Sequence, residues 1–347
     1  VIDSLGLRDA LLELPEQMSA AVRRLSVTGD LPESDDIANV LLLGTGAAGW
    51  VCDLIAAVVG PFLPVPIVVH KGFAPPSFID PSTLVVAISA SGNSPESIES
   101  VTTAIEAGGR LFAVTSGGRL GSMADSLAAP TVFLPAAEAP IPTRARVGAL
   151  AVPVLRAFEQ IGFFPGASDW IAAAIAQLRE RRSELAVDGN AAVRLAHKLQ
   201  GTMPLVYGGG APGAVAAERW KVQLNQSAKS PAWTGRLPDV AHGEVAGWGQ
   251  HGDVTRQVMS LVLLRHDDES PGVVEHFARV EHWTTEAVAG VHTVQAQGDG
   301  ALAQILDLGF FGDLVALELA DRYGIDPGPT PALAVSPEIV VVADDES

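Results

Sequence analysis

The stretch Leu84-Val85-Val86-Ala87-Ile88, followed by Ser89-Ala90-Ser91-Gly92-Asn93-Ser94-Pro95, restricts this chain to a small set of folds. An unbroken apolar run of this length reads as a strand buried on both faces, the condition of a strand inside a parallel sheet. Ile98, Val101 and Ile105 then recur at helical spacing, with Ser94 as N-cap and Pro95 as the first helical residue. A strand therefore enters a helix through a glycine turn. At that junction an anion meets unpaired backbone N–H groups, the positive end of the helix dipole and the hydroxyls of Ser89, Ser91 and Ser94. This is a phosphate cradle, although the same string also serves as an ordinary serine-rich turn.

The pattern repeats around it. Val40–Leu43, Val65–Val69, Leu84–Ile88, Leu111–Thr115 and Thr131–Leu134 are predicted strands, most of them separated by amphipathic runs. Such alternation predicts an α/β fold built on a doubly wound parallel sheet. A second series follows: a strand at Pro204–Tyr207, a helix from about Pro212 to Ala228, strands at Val258–Leu264 and Val291–Gln295, and a long helix around Ala301–Tyr323. The expected organisation is a helical segment at 1–36, a first three-layer αβα unit at 37–155, a connector helix at 156–190, a second unit at 191–325 and a tail at 326–347. Ser168 or Asp169 is expected to cap the connector, which carries Ile171, Ile175, Leu178 and Leu185 on one face; Arg179, Arg181 and Arg182 are expected to be solvated. The tail opens with Asp326-Pro327-Gly328-Pro329-Thr330-Pro331, a stiff, proline-rich run expected to wrap over the surface or fray.

Length and charge narrow the functions available. With 347 residues, 48% of them hydrophobic, the chain can bury two cores. No apolar stretch in this reading approaches a membrane span, and the start shows no signal-peptide pattern, so a cytoplasmic protein is expected. A net charge of -18 argues against nucleic acid or an anionic membrane as partner. It also requires a phosphate site to be locally basic, although lysine occurs only at Lys71, Lys198, Lys221 and Lys229, the last two read as solvated charges. The eight histidines show no ligand spacing, so no metal is expected. Cys52, the single cysteine, excludes an internal disulfide and reads as a buried small hydrophobe.

A second glycine loop, Gly44-Thr45-Gly46-Ala47-Ala48-Gly49, fits a dinucleotide fingerprint. The end of the next strand carries Val69-His70-Lys71 where a ribose-binding carboxylate is required, so no nucleotide cofactor is expected. The glycines equally let backbone approach a single phosphate or sugar.

With both loops in place, the chain resembles tandem sugar isomerase (SIS) domain proteins, most closely the bifunctional phosphoglucose/phosphomannose isomerases of archaea and bacteria. The resemblance runs nearly full length. Its segments are Gly44–Gly49, Ser89–Ser94, Thr115-Ser116-Gly117-Gly118, Tyr207-Gly208-Gly209-Gly210, Glu218-Arg219-Trp220-Lys221 with Asn225 and Lys229, Pro238 with His242 and Glu244, Gly312-Asp313-Leu314, and Asp326-Pro327. It implies two flavodoxin-like domains and a hexose phosphate ligand held at Ser89, Ser91, Ser94, Gly46 and Ala48. Arg144 would lie over C1–C2, where a guanidinium can stabilise an enediolate, and His242 would help to open the sugar ring. It further implies a homodimer in which the histidine reaches the neighbouring subunit's site. As residues alone, Arg144 also reads as a surface arginine and His242 as a structural histidine.

The resemblance breaks at the base. Aldose–ketose isomerisation needs a group to move a proton between C1 and C2; the family uses a glutamate, and this chain has Gln226 there, sixteen residues before His242. A carboxamide has no usable basicity at neutral pH. Ala48 stands where the family usually has a serine, and no lysine follows Lys229, although the family places a functional one near its carboxyl end. Glu244 and Glu218 are the candidates to replace the base. The readings left open are an isomerase with a relocated base, a catalytically silent sugar-phosphate sensor or partner, and a structural protein that has lost its ligand.

Overall fold

The computed structural model describes residues 2–135 and 142–330. Helices α1 (Leu7–Leu12) and α2 (Leu14–Arg24) precede a first α/β series: β1 (Asn39–Leu43), α3 (Gly46–Val59), β2 (Ile67–His70), β3 (Thr83–Ser89), α4 (Pro95–Glu106), β4 (Arg110–Thr115), α5 (Gly118–Ser126) and β5 (Thr131–Phe133). Helices α6 (Val147–Ile161), α7 (Ala167–Leu185) and α8 (Ala191–Leu199) lead into the second series. It comprises β6 (Met203–Gly209), α9 (Gly210–Gln226), β7 (Trp233–Leu237), short helices α10 (Asp239–Gly243) and α11 (Gly252–Val258), β8 (Met259–Arg265), α12 (Pro271–Thr284), β9 (Gly290–Gln295) and α13 (Gly300–Tyr323).

Both sheets are wholly parallel, in the orders β2-β1-β3-β4-β5 and β7-β6-β8-β9. The predicted α/β class with helices layered on parallel sheets is therefore the observed one. Every residue of β3 is buried, which explains why that strand reads as a continuous apolar run. Strand order reverses between β1 and β3, and a crevice opens at the carboxyl ends of strands where that happens. The two glycine loops of the sequence leave β1 and β3 there. In the second sheet the reversal lies between β6 and β8, and its own polar groups span it. His266 Nε2 lies 2.9 Å from the Gly209 carbonyl, Glu269 pairs with Arg265, and Gln304 joins both the backbone and the carboxylate of Asp267.

Several expectations change. The strand β7 was not expected: Thr234, Gly235 and Arg236 break its apolar character, and as an edge strand it is half exposed. A helix long and apolar enough to span a membrane does exist, contrary to the sequence reading. It is α13, and 89% of its most apolar window is buried inside the fold. Scattered charges such as Asp307 and Asp313 interrupt the run in sequence, and both are buried against arginines. One of those arginines is Arg181, expected in solvent but 6% exposed, with its guanidinium on Asp307 and over the Phe311 ring. Gly166 rather than Ser168 or Asp169 stands at the N-cap of α7; Ser168 donates instead to Glu159. Cys52 is fully buried, and burial pushes its thiol well above the ordinary range. Of the tail, residues 326–330 are described and 331–347 lie outside the described residues.

Candidate functional site

The serine loop is held from behind by its neighbour. The Gly92 carbonyl accepts from Leu120 N (2.9 Å), that of Ala90 from Ser116 N (3.0 Å), and Asn93 Oδ1 from Arg119 N (3.0 Å). Gly92 has φ +66°, and a Cβ there would sit 1.9 Å from the Gly117 carbonyl oxygen, so only glycine lets the two loops close on each other. This gives the segment Thr115–Gly118 a mechanical role: it braces the cradle. Ser94 is the N-cap of α4 with Pro95 following, as predicted, but its side chain does not cap the helix. Its hydroxyl lies 3.4 Å from that of Ser89, leaving the first-turn N–H groups of α4 to another acceptor.

A cavity of about 510 Å³ opens in front of this loop. Its walls include Ser89 from the end of β3, Ser91 and Ser94 from the β3–α4 loop, and Gly46 and Ala48 from the first turn of α3. Arg144, beside α6, and Gln226, the last residue of α9, also line it. All five residues expected to bind phosphate thus share one cavity with the arginine and the glutamine. Two sequence-distant halves of the chain build it, because α3 packs against both α6 and α9.

Arg144 is 7% exposed, and its Nη2 donates to the carbonyls of Pro327 (2.6 Å) and Gly328 (2.8 Å). Burial, and then the neighbouring Arg219, lower its pKa to about 10. Its own carbonyl accepts from Arg219 (2.7 Å), which forms a bidentate pair with Asp313 at 2.8 and 2.7 Å and lies 5.3 Å from the centre of the Trp50 ring. Arg219 and Asp313 are therefore the second rank of the site, fixing the backbone from which Arg144 projects. The sequence singled out both without a role; a charged pair split between two apolar helices was the available signal. Lys229, read as a solvated charge, donates to the carbonyls of Gln226 and Pro329. The backbone of 327–329 thus forms a strap across two cations, and Thr330 completes the cavity wall.

The other candidates lie elsewhere in the same chain. His242 is on α10, its ring 5.6 Å from that of His276, and Glu244 accepts from the Tyr207 hydroxyl at 2.8 Å; neither lines the cavity. Glu218 pairs with Lys221, accepts from Thr234 and lines a different cavity with Asp53, Lys71 and Arg236. Within one chain, neither glutamate lines the cavity that holds Gln226. Lys71, which stands where a ribose-binding carboxylate would be required, pairs with Asp53. Glu96, to which the sequence reading gave no role, lies in the first turn of α4 and is the one carboxylate lining the cavity among the described residues. No group of three or more His, Cys, Asp or Glu side chains is spaced to hold a metal among the described residues.

Residues 188–335 match the bacterial phospho-glucose isomerase C-terminal SIS domain. The chain is 28% identical over 328 residues to the bifunctional phosphoglucose/phosphomannose isomerase of Caldicellulosiruptor bescii, covering 92% of this chain and 95% of that one. Its fold is similar to the C-terminal domain of glucosamine-fructose-6-phosphate aminotransferase from Francisella tularensis (TM-score 0.71, 14% identity, 93% and 98% coverage). It is also similar to a glucose-6-phosphate isomerase like protein from Thermus thermophilus (TM-score 0.61, 21% identity, 96% of each chain). The molecule thus has a SIS-type fold and is similar, over nearly its full length, to bifunctional phosphoglucose/phosphomannose isomerases.

Proposed function

We propose that this SIS-domain protein binds a hexose 6-phosphate in the cavity between its two units, and that Gln226 leaves it with little or no aldose–ketose isomerase activity. The carrying observation is the composition of one cavity: a braced hydroxyl-and-amide cradle at one end, Arg144 at the other, and a carboxamide beside it. Phosphate docks on Ser89, Ser91, Ser94 and the backbone around Gly46 and Ala48, where helix-terminal N–H groups lack acceptors. Arg144 faces the carbons that would carry an enediolate. Proton transfer between C1 and C2 has no basic partner at 226, and loss of a positioned base costs on the order of 10²–10⁴ in rate.

A homodimer completes the arrangement, with His242 and Glu244 of one copy approaching the cavity of the other. The placement of both residues outside their own chain's cavity supports this reading. The silent-sensor reading draws its support from Glu218 and Glu244, each engaged away from the cavity.

Calorimetry with glucose 6-phosphate and mannose 6-phosphate tests the binding, and an isomerase assay of the wild type beside Gln226→Glu tests the defect. Saturable binding weakened by Ser91→Ala and Ser94→Ala is expected, with turnover appearing or rising at least about a hundredfold in Gln226→Glu. Wild-type turnover equal to that of Gln226→Glu would remove the proposed defect; absence of binding would remove the proposal.

A further inference from the structure

We infer that a second cavity, walled by α3, α9 and the edge strands β2 and β7, is a binding site for a small monocarboxylate with an aliphatic body. Its volume is about 510 Å³, within the range of small-molecule sites. It shares no lining residue with the cavity in front of the serine loop. Half of its lining comes from α3 and the end of β2, and half from α9 and β7.

The two halves repeat each other. Gly44, after β1, packs on Gly49 of α3, and Gly208 of β6 packs on Gly213 of α9, each pair so close that a Cβ would strike backbone. Lys71 follows His70, the register partner of Leu43, and so stands beside Gly44; Arg236 is the register partner of Gly208. The two units therefore place equivalent cations on the cavity wall. Their partners are not equivalent. Lys71 pairs with Asp53 of α3. The acid of α9, Glu218, turns instead to Lys221 and accepts from the Thr234 hydroxyl at 2.6 Å. Arg236 is left exposed, with no side-chain hydrogen bond or ion pair among the described residues.

Charge sets the valence of the ligand. Asp53 offsets Lys71 and Lys221 offsets Glu218, so one positive charge on the wall, that of Arg236, stands uncompensated. The two carboxylates resist a second negative charge. Burial pushes the Asp53 carboxyl up in spite of Lys71, and the charge of Glu218 pushes it further. A monoanion fits this balance, and a dianion such as a phosphate ester does not. The guanidinium fork matches the two oxygens of a planar carboxylate.

The remaining lining sets the body of the ligand. Ala56, Ala57, Ile67, Ala211, Ala214 and Val215 offer apolar side chains and no side-chain hydrogen-bonding group. A polyhydroxylated sugar would leave hydroxyls unpaired against them, whereas a short branched hydrocarbon removes its own surface from water.

The test is a ligand-observed NMR titration of the full chain with isovalerate, beside its neutral amide, isovaleramide, and inorganic phosphate. Isovalerate is expected to bind saturably. Arg236→Gln, or replacement of isovalerate by the amide, should weaken binding about tenfold or more, the scale of a lost charge-assisted bond. Arg236 is exposed on an edge strand, so its replacement leaves the core intact. Ala214→Leu, which fills the cavity and keeps the guanidinium, should remove binding. Excess glucose 6-phosphate should not displace isovalerate, which separates this cavity from the one holding Arg144. Absence of saturable binding, equal or tighter binding of the amide or phosphate, affinity unmoved in Arg236→Gln or in Ala214→Leu, or displacement by glucose 6-phosphate would each overturn the inference and leave the sugar-phosphate reading untouched.

Discussion

At the scale of single residues, the site depends on charges that face each other without water. Arg219 and Asp313 are 2% and 1% exposed, and their pair holds the carbonyl of Arg144. Removing one member of such a pair strands the other, at a cost of about 3–5 kcal/mol. Asp313→Asn should therefore lower the urea midpoint strongly and loosen Arg144 as well; a variant as stable as the wild type would contradict the role given to the pair. Arg144 and Lys229 also set a pH dependence. Burial lowers both below their ordinary values, Arg144 to about 10 with help from Arg219, and Lys229 with help from Arg144. Both are charged at neutral pH, and a lowered value means that charge is lost sooner on the alkaline side. Affinity for a hexose phosphate is thus expected to be level through neutrality and to fall on the alkaline side as the two depressed cations lose their charge. Calorimetry across alkaline buffers checks this, and Lys229→Gln should make the fall shallower.

At the scale of elements, the loop after β3 works because a second loop fills the space behind it. Gly92→Ala places a methyl against the Gly117 carbonyl at a positive φ, so it should cost about 1–3 kcal/mol from backbone strain alone and remove phosphate binding. Unchanged calorimetric affinity in that variant would separate the brace from the cradle. The same elements explain what the sequence could and could not disclose. β3 and the start of α4 were legible because burial on both faces leaves an uninterrupted apolar signature and Ser94-Pro95 marks a helix start. β7 was hidden because an edge strand with a glycine and an arginine carries no such signature. The role of Arg181 was misread for a related reason: its partner Asp307 lies 126 residues away on α13, and no local pattern announces a pairing of that range. Ser89, Ser91, Ser94, Gly46, Ala48, Arg144 and Gln226 came together as the order of their loops suggested, whereas Lys229 read as a solvated charge and Glu96 had no reading until the strap and the cavity gave them neighbours.

At the scale of the whole molecule, assembly and stability meet at the cavity. If His242 acts across a dimer interface, sedimentation velocity should report twice the chain mass. In a Gln226→Glu background, mixing Arg144→Ala chains with His242→Ala chains should then restore turnover that neither has alone, since one kind of hybrid site is intact; no restoration would place both residues in a single protomer's service. The cavity wall is drawn from both α/β series, with Ser89–Ser94 on one side and Gln226 on the other, and the carbonyl of Arg144 is gripped by an arginine of α9. Anything seated there acts as a rivet through the joint. Ligand at about a hundred times its dissociation constant adds about 2.7 kcal/mol, shared by both halves and local to neither. Scanning calorimetry should accordingly show the two halves melting together when the rivet is in place, even under solution conditions that let them come apart when it is withdrawn.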